Sequence, residues 1–129
     1  MSEFKSELNI KLRPDSDKVY VLEQNLIYYS DLAGLIRVPA GFQTDFASVP
    51  RVPIVYLAWG SRAHREAVIH DYLYRFDATP TVSFSTANEV FLEAMKSRGK
   101  PFYIRYPMYL GVVLGGMLSY HKRRVADVL

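Results

Sequence analysis

The spacing of apolar residues changes once along this chain, near Gly41, and that change limits what it can fold into. Before it, apolar and polar residues alternate. ELNIKLR (7–13) and KVYVLEQNLIYY (18–29) carry β-branched and aromatic residues at strand spacing. Pro14-Asp15-Ser16-Asp17 is turn chemistry, Ser30-Asp31-Leu32-Ala33-Gly34 reads as a hairpin turn, and LIRVP (35–39) reads as the return strand. After Gly41 the apolar residues recur at helical spacing. The expected class is α+β, with a small N-terminal antiparallel β-sheet followed by about three helices. At 129 residues, one domain is expected, mainly β over 1–40 and mainly α over 41–129.

The helices have readable ends. Ser61 is a candidate N-cap for a helix running to about Phe76, and Asp77-Ala78-Thr79-Pro80 ends it. In STANEVFLEAMKSRG, Ser85 or Thr86 is the expected N-cap. Thr86 would form a capping box with Glu89, and Gly99 is the expected left-handed residue after the helix. A last helix is expected over roughly 101–124, with Pro107 near its start and Gly111 and Gly115 forming a smooth stripe.

Composition excludes several functions. There is no cysteine, which removes disulfides, thiolate metal sites and a cysteine nucleophile. The net charge of +3 is dispersed, apart from His121-Lys122-Arg123-Arg124. A run that short at a helix end reads as a solvated cap, so no specific nucleic acid is expected as partner. The opening MSEFKSELNIKL has no apolar stretch of the kind a signal peptide needs. YPMYLGVVLGGMLSY (106–120) is too short for a transmembrane segment. Flanked by Arg105 and His121-Lys122, it suits a buried C-terminal helix, or one resting on a membrane or another protein.

The stretch HREAVIHDYLYRFD (64–77) sets a histidine and an aspartate side by side within a helical apolar pattern. Ala63, Ala67, His70, Asp71 and Tyr74 share one helix face. A buried aspartate is costly unless paired or metal-bound, so this face needs partners. His64 lies on its flank. Asp45, with Thr44 and Ser48 beside it, sits in the irregular stretch PAGFQTDFASVPR (39–51) and can aim a carboxylate at one point. Asn88 is the polar member of the inward stripe Asn88, Phe91, Leu92 and Met95 on the next helix, placed to hydrogen-bond His70 across an antiparallel helix pair. His70, His64, Asp71 and Asp45 are ligand types suited to a divalent ion such as calcium or zinc. The six-residue spacing of His64 and His70 turns them about 120° apart on one helix. The alternative is a satisfied polar network of His70, Asp71, Tyr74, Asp45 and Asn88 that specifies one packing. Ser48 lacks the G-x-S-x-G context of a serine nucleophile.

TDFASVPR, then A-x-x-x-H-x-x-A-x-x-HDYLYR, then ANEVFLEAM-x-x-x-G and a closing MY-containing helix resemble a family of small phage and prophage proteins catalogued as a domain of unknown function. The resemblance covers roughly residues 35–120. It implies a virus-derived protein of the tail or late genes, found in the virion or in the host cytoplasm during assembly. Other phage structural proteins would be its partners. It also implies an acidic residue where this chain has Asn88.

His-Asp-x-x-Tyr on a helix also resembles the active-site helix of calcium-dependent secretory phospholipases. That resemblance implies His70 as general base, Asp71 as calcium ligand and Tyr74 as buttress to a carboxylate on the neighbouring helix. The chain departs from it at three points. The carboxylate position falls on Asn88, residues 39–51 hold only Gly41 where a glycine-rich calcium loop belongs, and the bracing disulfides are missing.

Ten tyrosines are more than one small core absorbs, so some should be exposed. Tyr103, Tyr106, Tyr109 and Tyr120, within residues 101–120, are the expected contact surface. Two functional readings follow. One is a phage structural or accessory protein, docked through its aromatic C-terminal helix or a sheet edge. The other is a small metal-dependent hydrolase of lipid or cell-envelope material such as peptidoglycan, centred on His70 and Asp71.

Overall fold

The computed structural model describes residues 2–16, 19–44, 64–116, 120–121 and 124–126. The strands are β1 (Glu3–Phe4), β2 (Ile10–Leu12), β3 (Tyr20–Leu22), β4 (Leu26–Ser30), β5 (Gly34–Val38) and β6 (Gln43–Thr44). Among the described residues three helices follow: α1 (His64–Leu73), α2 (Phe84–Ser97) and α3 (Phe102–Gly116). The arrangement is α+β, with antiparallel sheets of N-terminal strands ahead of the helices.

The strands form two small sheets. One has the order β1-β4-β5, the other β2-β3-β6. The expected long strand over 18–29 is broken at Glu23-Gln24-Asn25, so β3 and β4 enter different sheets. Periodicity hides this break. Leu22, Leu26, Tyr28 and Ser30 are all buried, and all are even-numbered. Gln24 in the bend itself is exposed, but the phase of burial is the same on its two sides. The β4–β5 hairpin forms where its turn residues placed it, with Ser30 opposite Gly34, Tyr28 opposite Ile36 and Leu26 opposite Val38. Gly34 has φ +80, a conformation that a side chain would strain.

α1 packs on β5 and α2 on β4, so the helix pair covers the inner face of the first sheet. Leu26, Tyr28, Ile36 and Val38 meet Ala67, Val68 and Ile69 of α1 and Val90, Phe91, Ala94 and Met95 of α2 in one core. α3 adds Ile104, Met108 and Val112 from the far side of α2. Full burial of each large apolar side chain stabilises the fold by about 1.5–3 kcal/mol.

Three helix boundaries differ from expectation. α1 ends at Leu73, not Phe76, as the bonding tightens. Tyr74 N still donates to His70 O, but Arg75 N donates to Tyr72 O. α2 is capped by Ser83, not by Ser85 or Thr86. Ser83 is extended (φ −70, ψ 164) and its Oγ accepts from Thr86 N at 3.1 Å. Ser83→Ala should therefore cost about 1 kcal/mol in a urea melt, and Ser85→Ala less than about 0.5. The last helix does not continue to 124, because Tyr120 and His121 lie in a turn and His121 has φ 57. Gly99 takes the left-handed conformation expected after α2, with φ 78.

Candidate functional site

α1 and α2 run antiparallel, and their contact carries the polar cluster. His70 is fully buried, with a relative exposure of 0%. Its Nε2 lies 2.7 Å from Oδ1 of Asn88, and the Tyr74 hydroxyl donates to the same oxygen at 2.6 Å. An amide oxygen only accepts, so Nε2 carries the imidazole proton in this arrangement. His70 Nδ1 and Asn88 Nδ2 are buried and without a hydrogen-bond partner. The His70 ring also packs on Tyr74 (4.1 Å between centroids) and Phe91 (5.2 Å).

This environment decides the proton chemistry. Burial disfavours the imidazolium, and the Asn88 hydrogen bond offsets it only in part, so the His70 pKa is pushed down to about 4. His70 is neutral at physiological pH. Burial pushes the Tyr74 phenol up, which keeps it a proton donor to Asn88. A carboxylate at position 88 would stabilise an imidazolium by charge, which an amide does not.

Asp71 is adjacent in sequence but makes a different contact. It is half-buried, and its Oδ2 accepts from Arg75 Nη2 at 3.3 Å, one helical turn on. Arg75 itself is buried, which its sequence position did not suggest. Its guanidinium also donates to the backbone carbonyls of Gln43 (3.3 Å) and Arg124 (3.2 Å), and lies 5.0 Å from the centre of the Phe42 ring. One side chain thus joins α1, β6 and the C-terminal segment. That segment is held again by His121 N to Tyr74 O (2.7 Å), Val125 N to Asp77 Oδ1 (2.7 Å) and the Tyr120 hydroxyl to Val82 O. The spacing of Asp71 and Arg75, four apart on a helix, was the available signal for their pairing.

Glu66 was likewise not anticipated. It is fully buried on α1, one turn before His70. Its Oε1 meets Arg98 Nη1 at 3.3 Å and Lys100 Nζ at 3.9 Å, while Oε2 has no hydrogen-bond partner. Burial raises its pKa more than the two cations lower it.

Of the expected metal ligands, Asp45 and the side chain of His64 lie outside the described residues, as does Ser48. His70 and Asp71 have the surroundings given above. Among the described residues, no three His, Asp or Glu side chains gather as metal ligands would. The expected contact tyrosines separate. Tyr103 and Tyr106 are exposed and Tyr109 is half-buried. Tyr120 packs edge-on against Tyr74 (5.4 Å) and Phe84 (5.7 Å), beside the polar cluster.

A family profile described as "Protein of unknown function (DUF1353)" matches residues 20–112, from β3 through most of α3. The chain belongs to this family. The DUF1353 span contains His70, Asp71, Tyr74, Arg75 and Asn88, so the polar cluster and the Arg75 contact with α1 fall within the shared region. No curated protein and no solved structure was found to match the chain. Among the described residues, no helix is long and apolar enough to cross a membrane.

Proposed function

We propose that this DUF1353 protein is a bacteriophage-derived accessory protein that works by attachment within a virion- or tail-associated assembly. In this reading the His70–Asn88–Tyr74 cluster is a lock between α1 and α2, and the outer face of α3 makes the contact. The observation that carries it is that face. Phe102, Tyr103, Tyr106, Leu110 and Leu114 are all exposed along one side of α3, up to 77% for Leu114, while Ile104, Met108 and Val112 fill the core from the other side. Together they expose apolar surface on the order of 500 Å², the scale of a functional patch. The phage origin rests on the order of the motifs TDFASVPR, HDYLYR and ANEVFLEAM. Other particle components or the host envelope are the partners it would meet, in the virion or in the host cytoplasm during assembly.

One observation favours the hydrolase reading. His70 is anchored through Nε2 and leaves Nδ1 with a free lone pair, as a general base requires. Against it stand the sealing of His70, the Arg75 guanidinium on Asp71 and the amide at position 88. The test compares wild type with Asn88→Asp, in which a carboxylate faces His70 and Tyr74. The attachment reading expects melting temperatures to be equal in EDTA, calcium and zinc. It expects neither protein to release fatty acid from phospholipid or to cleave peptidoglycan. A calcium- or zinc-dependent rise in the melt with hydrolysis by wild type would overturn it, since ligand at 100 times its dissociation constant stabilises by about 2.7 kcal/mol. Turnover only in Asn88→Asp would mark a site whose chemistry this chain has lost.

A further inference from the structure

We infer that the outer face of α3 binds a second copy of this chain, helix against helix and antiparallel. This names the partner in the attachment reading and rests on that reading's choice of contact face. The composition of the face, its two unlike ends and its area support it.

Phe102, Tyr106, Leu110 and Leu114 follow one another at four-residue spacing. They span an arc of roughly 120° on the helix, which also takes in Tyr103 and Val113. Every side chain on that arc is apolar or aromatic. Ile104, Met108 and Val112 enter the core from the opposite side, so the exposed row adds nothing to it. Arg105 is the charged residue of α3, and it lies off the arc. Its Nη1 donates to Lys100 O at 2.8 Å, and its guanidinium lies 5.7 Å from the centre of the Tyr106 ring. Arg98 and Lys100, in the turn before α3, meet Glu66. The row therefore carries no charge that would select an acidic or a basic partner. It suits a surface as apolar as itself, and a second copy supplies one. Tyr29, Leu32 and Leu35 on the β4–β5 hairpin are also exposed, but charges interrupt that group. Glu3 lies opposite Tyr29, and Arg37 follows Leu35 on the same side of β5.

The ends of the row differ. Phe102 and Tyr106 put rings at its start, and Leu110 and Leu114 put branched aliphatic groups at its end. A two-fold axis level with the middle of the row turns the second helix antiparallel. Phe102 then faces Leu114 of the second copy, and Tyr106 faces Leu110, a ring against a leucine each time. The two Arg105 residues come to lie about 9 Å apart along the helix axis, whereas a parallel copy in register sets them side by side. Antiparallel packing also opposes the two helix dipoles. Such a contact is isologous and closes at two copies.

Area sets the strength. Apolar surface on the order of 500 Å² per copy gives about 1,000 Å² from the two. That meets the lower bound for a specific interface and falls short of the standard size. The dimer is therefore reversible, with a dissociation constant on the order of 10 µM.

The test is sedimentation equilibrium of the full chain from about 1 to 300 µM, a range that brackets this constant. The mass is expected to rise from that of one 14.8 kDa chain to that of two. Leu110→Glu with Leu114→Glu should raise the dissociation constant by about tenfold or more. Leu32→Glu with Leu35→Glu, on the hairpin, should leave it unchanged. At the dilute end, where wild type is a single chain, the α3 variant should melt at the wild-type temperature, because both leucines are exposed. Wild type that stays a single chain throughout would overturn the proposal, as would an α3 variant that dimerises like wild type. A dimer dissociated by the hairpin variant alone would assign the contact to the sheet. A marked fall in the melting temperature of the dilute α3 variant would mean that the row is covered within one chain. Either result overturns the proposal too. None of these results touches the attachment reading, which falls only if the hydrolysis and metal-melt test finds turnover.

Discussion

Arg75→Ala is expected to lower stability by about 3–5 kcal/mol, and the melting temperature by roughly 10–20 °C. The guanidinium is 4% exposed and reaches Asp71, Gln43 O and Arg124 O while lying over Phe42. Removing it takes a charge-assisted partner from a carboxylate and from two backbone acceptors, and leaves a cavity against an aromatic ring. Arg75→Lys should recover only part of the loss, because a compact ammonium does not span acceptors on three separate segments. Thermal and urea melts of the two variants measure this. A fall below roughly 3 °C for Arg75→Ala would show that α1, β6 and the C-terminal segment are held together by other contacts.

The second large effect is a loss of stability in mild acid that depends on His70. The unfolded imidazole takes its proton near 6.5, the folded one near 4. Between these values the unfolded chain binds a proton that the folded chain refuses. Stability is therefore fully present above about 6.5, falls as pH drops through the window, and levels off below about 4. The total loss from this group is about 3 kcal/mol. Glu66 acts in the opposite direction. Its raised pKa means that the folded state takes up a proton first as pH falls, which adds stability on the acid side. His70→Gln keeps a donor for Asn88 Oδ1 and removes the titration, while Glu66 is the same in both proteins. The difference between the two stability curves therefore isolates His70. It should be nearly flat from pH 8 to 7 and shift by about 3 kcal/mol in favour of the variant by pH 4. Parallel curves would mean that His70 is protonated as easily in the folded chain as in the unfolded one.

Parts of this site were legible before the fold was known. A lone polar residue on an otherwise apolar helix stripe must find a partner. His70 is the polar group at the matching place on the preceding helix, so its contact with Asn88 is one of the pairings that spacing allows, and the structure forms it. The hairpin at Ser30–Gly34 and the left-handed Gly99 followed from residue chemistry in the same way. Other parts were hidden for physical reasons. Arg75 and Glu66 belong to residue types that are rarely buried, and no local pattern marks the exception. Asp71 is next to His70 in sequence, but neighbouring residues on a helix do not face each other, and its carboxylate meets Arg75 one turn on. The break between β3 and β4 is masked because Leu22 and Leu26 on its two sides are buried in the same phase, so only the polar run Glu23-Gln24-Asn25 marks it. The cap at Ser83 is hidden because a capping box at Thr86 and Glu89 also fits the sequence, and only the extended backbone of Ser83 separates them.

By itself, then, the sequence determined the order of strands and helices and placed His70 and Asn88 where they could pair. Each depends on the spacing of residues close together in the chain, or on a match between two neighbouring helices. Tertiary structure decided which charges are buried, which nitrogen of His70 is left without a partner, and that Tyr120 turns inward while Tyr103 and Tyr106 face out. Those outcomes depend on groups brought together from distant parts of the chain, as when Gln43, Asp71 and Arg124 meet at Arg75. The cost of leaving a buried polar group unpaired then selects among the packings that local spacing allows.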